Sequence, residues 1–345
     1  MKRVTLIPGD GIGPEIVNAT LKVLDAIEVD IDWEVVNAGR KAYEEEGNPL
    51  PEDVIESIRR NKVALKGPLE TPIGSGYRSV NVTLRRIFDL YAIIRPAKYI
   101  PGLPTRYTDI DLILIREGIE GLYIGAECSL DPYKHHSISI RYMSRDNCKR
   151  LISFAFRYAI AHNRKKITLA HKANILKETC GMLREEFLKE ARKQDRILAE
   201  DMLIDSVVAE LISRPSKFDV IVTSNMFGDI LSGVIAGLIG TVGILPSANI
   251  GNEYAIFETA HGTAPDIAGK GIANPSAMIL ASAMLLEHIG LTEKANIIRE
   301  AVKEVIKEGK YVTLDIASKL GTTPVSTSKM AERIAEIARQ KLEES

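Results

Sequence analysis

Val4-Thr5-Leu6-Ile7-Pro8-Gly9-Asp10-Gly11-Ile12-Gly13-Pro14-Glu15 runs from an apolar tetrad through a glycine-rich turn into a segment, Glu15 to Ile27, where Val17, Leu21, Leu24 and Ile27 recur at helical spacing. The pattern predicts a strand, a loop and a helix. A glycine loop at that point lets backbone N–H groups approach an anion or a cofactor. The dinucleotide fingerprint needs glycine at its first, third and sixth places, however, and the sixth here is Pro14, a residue suited to a first helical turn. The loop reads as a tight turn opening a helix, or as a ligand-lining loop of another kind, rather than as a Rossmann fingerprint.

Working outward, short apolar runs recur at Val63 to Leu65, Leu112 to Ile115, Ile167 to Ala170 and Val220 to Val222. Helical patterns fill Asp146 to His162, Lys177 to Lys193, Asn274 to Ile289, Thr292 to Glu308 and Ser328 to Leu342. This alternation predicts an α/β protein with a partly parallel sheet. The 345 residues are 45% hydrophobic, enough for a sizeable core and about two domains, and no repeat, low-complexity tract or long linker interrupts them. With 45 Lys+Arg against 46 Asp+Glu, no global field favours nucleic acid or an anionic membrane, so any positive site must be local. Apolar stretches such as Met278 to Leu286 fall short of the roughly 20 residues a bilayer span requires. Without a signal-peptide pattern the chain reads as soluble and cytoplasmic. Cys128, Cys148 and Cys180 have no metal-type spacing and read as ordinary thiols.

Chemistry-bearing residues gather in a few places. Between Gly74 and Arg95 come Ser79, Asn81, Arg85 and Arg95, with Arg116 further on. Arginines converging on one cleft would suit a di- or tricarboxylate, while each alone could be a surface ion-pair partner. Asp229 follows the strand at Val220 to Val222, where a carboxylate could join Asp205 in holding a hard cation or could simply cap the next helix. Lys172 follows another apolar strand and is either a partly buried lysine or a snorkelling one. The stretch from Glu258 to Pro275 is polar and rich in glycine and proline, which marks a structured binding loop. Within it His261 could be satisfied by backbone, and Asp266 could cap the next turn.

Taken in order, Ile7-Pro-Gly-Asp-Gly-Ile-Gly-Pro-Glu15, Ser79-x-Asn81-x-x-Leu84-Arg85 with Arg95-Pro96, Arg116 with Glu120-Gly121-Leu122-Tyr123, His171-Lys172-Ala173-Asn174, Gly228-Asp229-Ile230 and His261-Gly262-Thr263-Ala264-Pro265 resemble the isocitrate and isopropylmalate dehydrogenase family from end to end. The resemblance implies a non-Rossmann α/β fold of two domains. A large cofactor-binding domain would come from residues 1–96 and 240–345, and a small domain from 97–239 would carry the dimer contact. It implies a homodimer with shared active sites, Lys172 and Asp205 serving the neighbouring copy.

By the same resemblance Arg85, Arg95 and Arg116 would bind substrate carboxylates, and Ser79 and Asn81 the third carboxylate that marks isocitrate. Asp205 and Asp229 would hold Mg²⁺ or Mn²⁺, Lys172 would accept the hydroxyl proton and Tyr123 would return a proton to carbon. Glu258, His261, Gly262 and Asn274 would line the cofactor. Asp266 and Ile267 favour NAD, because a carboxylate accepts hydrogen bonds from ribose hydroxyls and repels a 2′-phosphate. NADP-using relatives usually carry Lys and Tyr there. The implied activity is NAD-dependent oxidative decarboxylation of isocitrate, with homoisocitrate and 3-isopropylmalate as alternative substrates. Two departures stand out. Gly233 replaces a second aspartate usual one helical turn after Asp229, and Arg116-Glu117-Gly118-Ile119-Glu120 stands where isocitrate enzymes typically read Arg-Glu-Asn-Thr-Glu. They raise the alternative of a non-catalytic regulatory subunit.

Overall fold

The computed structural model describes residues 2–74 and 76–344. The first part of the chain forms β1 (Lys2–Ile7), α1 (Gly13–Ala26), β2 (Ile31–Val35), α2 (Arg40–Glu46), α3 (Glu52–Asn61), β3 (Val63–Lys66), α4 (Val80–Ile87) and β4 (Ala92–Lys98). The middle forms β5 (Asp111–Glu117), β6 (Glu127–Ser129), β7 (Ser137–Ser139), α5 (Arg145–Ala161), β8 (Lys166–His171), α6 (Thr179–Ala191), β9 (Leu198–Leu203), α7 (Ile204–Ser213), β10 (Val220–Thr223) and α8 (Asn225–Ile239). The last part forms β11 (Pro246–Ile250), β12 (Ala255–Thr259), α9 (Ser276–His288), α10 (Thr292–Glu308), α11 (Leu314–Leu320) and α12 (Thr327–Glu343).

Ten strands join in one sheet, in the order β2-β1-β3-β12-β11-β4-β5-β10-β8-β9. Pairing is parallel in both outer parts and antiparallel at β12–β11, β11–β4 and β4–β5. The six strands on one side of the β4–β5 seam come from residues 2–98 and 246–259, and the four on the other from 111–203 and 220–223. Strands such as β3 and β10 are buried along their whole length, which is why they read as unbroken apolar runs. Helices cover both faces. α1 turns Ile16, Val17, Thr20, Val23 and Leu24 inward and packs on α12 and α9. No described helix is long and apolar enough to cross a membrane.

The expected helices occur within three residues of their sequence bounds. Asp229 does not cap its helix, since α8 begins at Asn225 and places the carboxylate beyond the first turn. The glycine loop is a tight turn that ties three other loops together. Asp10 N–H and Ile12 N–H donate to Pro68 C=O and Thr263 C=O at 2.7 and 2.9 Å. The Asp10 carboxylate accepts from the backbone N–H of Arg40 at 3.0 Å and of Glu70 at 2.8 Å. A carboxylate so placed in the loop suits a structural tie better than a phosphate cradle. β6 and β7 form a separate hairpin, exposed along both strands.

Candidate active site

Register builds the site. Residues paired across strands share a sheet face, and so do residues two apart along one strand. Lys66 pairs Glu258, Glu258 pairs Ser247, and Asn249 pairs Ile93, which also faces Arg116. Arg95 lies two residues from Ile93. Lys66, Glu258, Ser247, Asn249, Arg95 and Arg116 therefore form one polar row across β3, β12, β11, β4 and β5, in the middle of an apolar sheet. α4 lies over the row and adds Arg85.

A cleft of about 210 Å³ opens on this row, and among its lining residues are Ser79, Asn81, Val82, Arg85, Arg95, Arg116, Tyr123, Asp229, Glu258, His261 and Gly262. The three arginines are not surface ion-pair partners, for Arg85, Arg95 and Arg116 are 7%, 5% and 1% exposed. Each is held on the side away from the opening. Arg85 Nε donates to Asn249 Oδ1 at 3.1 Å, Arg95 Nε to Ser247 Oγ at 3.3 Å, and Arg116 Nε and Nη2 to Asn225 Oδ1 at 3.0 and 2.7 Å. Arg116 lies against α8 at Gly228, where a Cβ would stand 2.5 Å from Arg116 Cγ. That close approach explains the glycine before Asp229.

Asp229 faces the guanidinium groups. Arg116 Nη1 donates to its Oδ1, Arg95 Nη1 lies 3.6 Å from the same oxygen, and the Tyr123 hydroxyl donates to Oδ2 at 2.6 Å. Burial opposes its charge, yet Arg116, the Tyr123 hydrogen bond, Arg95 and Arg85 together hold Asp229 below the usual carboxylate range. Burial and then the hydrogen bond to Asp229 push the Tyr123 phenol up, so it keeps its proton. Burial, with Arg116 close by, lowers Arg95 to about 10. A cleft with these properties favours an arriving anion.

Sequence reading missed Lys66. Its ammonium lies 2.6 Å from Glu258 Oε2, both side chains nearly inaccessible, and Asn249 Nδ2 donates to Glu258 Oε1 at 2.7 Å. Burial acts against the carboxylate, but Lys66 and Arg85 outweigh it and bring Glu258 down to about 2. The available signal was a lysine ending an apolar strand just before Gly67-Pro68. Ser247, Asn249 and Asn225 were equally silent, because their roles exist only through cross-strand pairing. Counting Lys66 beneath the cleft, four cations face two carboxylates, an excess of two positive charges that suits a di- or tricarboxylate.

On α4, Ser79 Oγ accepts from Val82 N–H, as an N-cap does. The Asn81 side-chain oxygen is buried without a hydrogen-bond partner, an amide end left for a ligand on the cleft wall. His261 Nδ1 bonds Gly262 C=O at 3.0 Å, and burial lowers its imidazole below the ordinary histidine value. The expected backbone satisfaction of His261 is therefore present, and the ring still lines the cleft. Asp266 caps nothing. It is exposed and makes no hydrogen bond or ion pair among the described residues. Ile267 packs on the core, while Asn274 is committed within the chain, Nδ2 to Asp315 Oδ2 at 3.0 Å and Oδ1 to Ser276 N–H at 3.0 Å.

Lys172 and Asp205 are not among the residues lining this cleft. They pair with each other at 2.5 Å, Lys172 Nζ on Asp205 Oδ1, with side chains 29% and 61% exposed. Among the described residues no three His, Cys, Asp or Glu side chains cluster as a metal site. Since Glu258 is taken by Lys66, Asp229 is the carboxylate this chain offers to a hard cation in the cleft. Gly233 adds none, and a Cβ there meets open space. The Asp229 carboxylate is a hard donor of the kind Mg²⁺ and Mn²⁺ take, and any further carboxylate ligand would have to come from outside this chain's own cleft.

A family model described as isocitrate/isopropylmalate dehydrogenase matches residues 3–334. The crystal structure of isocitrate dehydrogenase from Methylococcus capsulatus superposes with a TM-score of 0.96 at 48% identity, covering 99% of this chain and 100% of that one. The probable NAD isocitrate dehydrogenase subunit alpha, mitochondrial, of Drosophila melanogaster is 44% identical over 318 residues, 92% of this chain and 84% of its own length. The 3-isopropylmalate dehydrogenase of Methanothermobacter thermautotrophicus is 41% identical over 337 residues, 98% of each chain.

Proposed function

We propose, from the premise that this chain belongs to the isocitrate/isopropylmalate dehydrogenase family of β-decarboxylating dehydrogenases, that it converts isocitrate to 2-oxoglutarate with NAD as oxidant. The observation carrying this reading is the row of buried arginines with spare positive charge beneath α4, whose cleft-facing residues include Ser79 and Asn81. A site for an isopropyl group would line that helix with apolar side chains.

Arg85, Arg95 and Arg116 grip substrate carboxylates and fix the orientation of the carbon that loses hydride. Lys172 of a second copy takes the hydroxyl proton, and a bound nicotinamide cofactor would supply the hydride acceptor. The resulting β-keto acid loses CO₂, and Tyr123, kept protonated by burial and by Asp229, returns a proton to the enolate carbon. Asp229 and the second copy's Asp205 would hold a divalent cation, which would supply Lewis-acid stabilisation of the oxygen that changes charge. His261, Gly262 and Glu258 would line the nicotinamide end, and Asp266 would accept from the adenosine ribose, which is the basis for preferring NAD.

The same reading takes the protein as a homodimer with shared active sites, and the placement of Lys172 and Asp205 outside their own cleft supports it. Exposed apolar side chains support it, with Ile138 and Ile140 on the hairpin arm, Ile212 on α7 and Ile230 on α8 being 43–57% exposed. A second reading, a regulatory subunit, draws on Gly233 and on the Gly118-Ile119 departure after Arg116. Retention of Tyr123, Lys172, Asp205 and Asp229 favours the enzyme.

The test is NADH formation, followed by absorbance, with Mn²⁺ and isocitrate, homoisocitrate or 3-isopropylmalate, each with NAD⁺ and with NADP⁺. Fastest turnover of isocitrate with NAD⁺ is expected. Preference for another substrate or for NADP⁺ would reassign the specificity, and a folded dimer inactive in all six mixtures would favour the regulatory reading.

A further inference from the structure

We infer that His171 is a positioning residue, which sets the loop from which Lys172 projects. The inference rests on the reading of Lys172 as the proton acceptor. His171 closes β8 and is 5% exposed, yet both of its ring nitrogens are engaged, in different directions. Ala173 donates its backbone N–H to Nδ1 at 3.0 Å, so Nδ1 carries no proton. Nε2 then carries the proton and donates it to Asp201 Oδ2 at 3.0 Å. Arg184 fixes that carboxylate in turn, Nε to Oδ2 at 2.6 Å and Nη2 to Oδ1 at 3.2 Å.

The chain Arg184, Asp201, His171, Ala173 N–H thus ends one residue beyond the lysine. On the lysine's own carbonyl, Ile175 and Leu176 N–H donate at 3.1 and 2.8 Å. The peptide unit between Lys172 and Ala173 is therefore held at both its N–H and its C=O, while the Lys172 ammonium rests on Asp205, two residues after β9. The Asp201–Arg184 pair needs no ring to form, and an apolar side chain would satisfy burial at the end of β8. What the imidazole adds is an acceptor for Ala173 N–H and a tie from that loop to β9. A loop whose lysine must reach across to a neighbouring copy's cleft needs such a constraint, because a misplacement of about 1 Å at a reacting group costs on the order of 100-fold in rate.

Three variants of the protein separate this role from general stability. His171→Asn keeps an acceptor near the Nδ1 position, His171→Gln keeps a donor towards Asp201 without that acceptor, and His171→Leu keeps neither. Turnover of isocitrate with NAD⁺ and Mn²⁺, and hydrogen exchange at the Ala173 amide, are the two readouts. Leu and Gln should lower kcat by about 30- to 100-fold with KM for isocitrate within about twofold, and Asn should recover to within about fivefold of the parent. Ala173 exchange should rise about tenfold or more in Leu and Gln and stay slow in Asn. A Gln variant as fast as the parent, an Asn variant as slow as Leu, or equal Ala173 exchange in all four proteins would overturn the inference. If the Leu variant fails to fold, the Asn and Gln pair carries the comparison. If the parent turns over none of the candidate substrates, the activity reading fails, and the exchange data alone decide whether His171 orders the loop.

Discussion

Lys66→Met removes the cation facing Glu258 and leaves the carboxylate in its buried place. In the parent, the two side chains are 2% and 7% exposed and lie 2.6 Å apart. Asn249 still donates at 2.7 Å in the variant, and Arg85 Nη2 remains 4.0 Å away, so the charge is partly compensated. Breaking a buried pair from one side costs about 3–5 kcal/mol, and the remaining partners place this variant near the lower end, about 3 kcal/mol. With unfolding entropy of about 2.1 cal/mol/K per residue, a chain of 345 residues loses roughly 4 °C in Tm. The pH dependence identifies the cause. In the parent, Glu258 sits at about 2 against an ordinary 4.5, so its stabilisation is complete above pH 4.5 and disappears as the pH falls towards 2. Removing Lys66 takes away the largest of the influences that hold the carboxyl down, so Glu258 moves back up towards its ordinary range and the difference between parent and variant disappears as the pH falls towards 2. Thermal melts by circular dichroism should show a gap of about 4 °C at pH 7 that stays at about 3.5 °C at pH 4, where the parent carboxylate is still ionised, and narrows to about 1 °C at about pH 2.5. Adding Glu258→Gln to the variant should recover most of the loss at pH 7. An equal gap at all three pH values, or a double variant no more stable than Lys66→Met, would show that packing rather than an unpaired charge sets the cost.

Tyr123→Phe and Lys172→Met should each lower kcat by about 100-fold or more while moving Tm little, and near-parent rates in both would reject their proton-transfer roles. Gly233→Asp projects into open space on α8 and should lower the Mn²⁺ concentration giving half-maximal activity several-fold; an unchanged titration would show that the second carboxylate is unnecessary. At Gly118 a Cβ would stand 2.1 Å from the Leu90 carbonyl oxygen, so Gly118→Ala should lose about 3 kcal/mol, seen as a Tm drop of roughly 4 °C, and an unshifted melt would refute that close approach. Asp266→Lys with Ile267→Tyr should move the ratio of kcat/KM for NAD⁺ over NADP⁺ towards NADP⁺ by tenfold or more, and a constant ratio would remove Asp266 from cofactor choice.

The helices were legible because periods of 3.6 residues and local caps act over a few neighbours. Thr292–Glu308 emerged with the bounds its pattern implies. The strands β4, β11 and β12 escaped notice, since the first holds Arg95 and Pro96 and the last holds Glu258, polar residues that interrupt an apolar run for the sake of the site. Gly118 shows the same limit from another side, for its departure from the usual motif answers to the Leu90 carbonyl across a turn, a contact no local pattern reports.

By itself the sequence determined the α/β class, the order of the motifs and the chemical types at Ser79, Asn81, Arg85, Arg95, Arg116, Tyr123 and Asp229. Tertiary structure alone decided that the arginines converge, that Lys66 and Glu258 pair beneath them, and that Lys172 and Asp205 stand together outside the cleft. The reason is that side-chain identity is local, whereas convergence depends on strand order and register, which bring residues from both ends and the middle of the chain onto one face of one sheet.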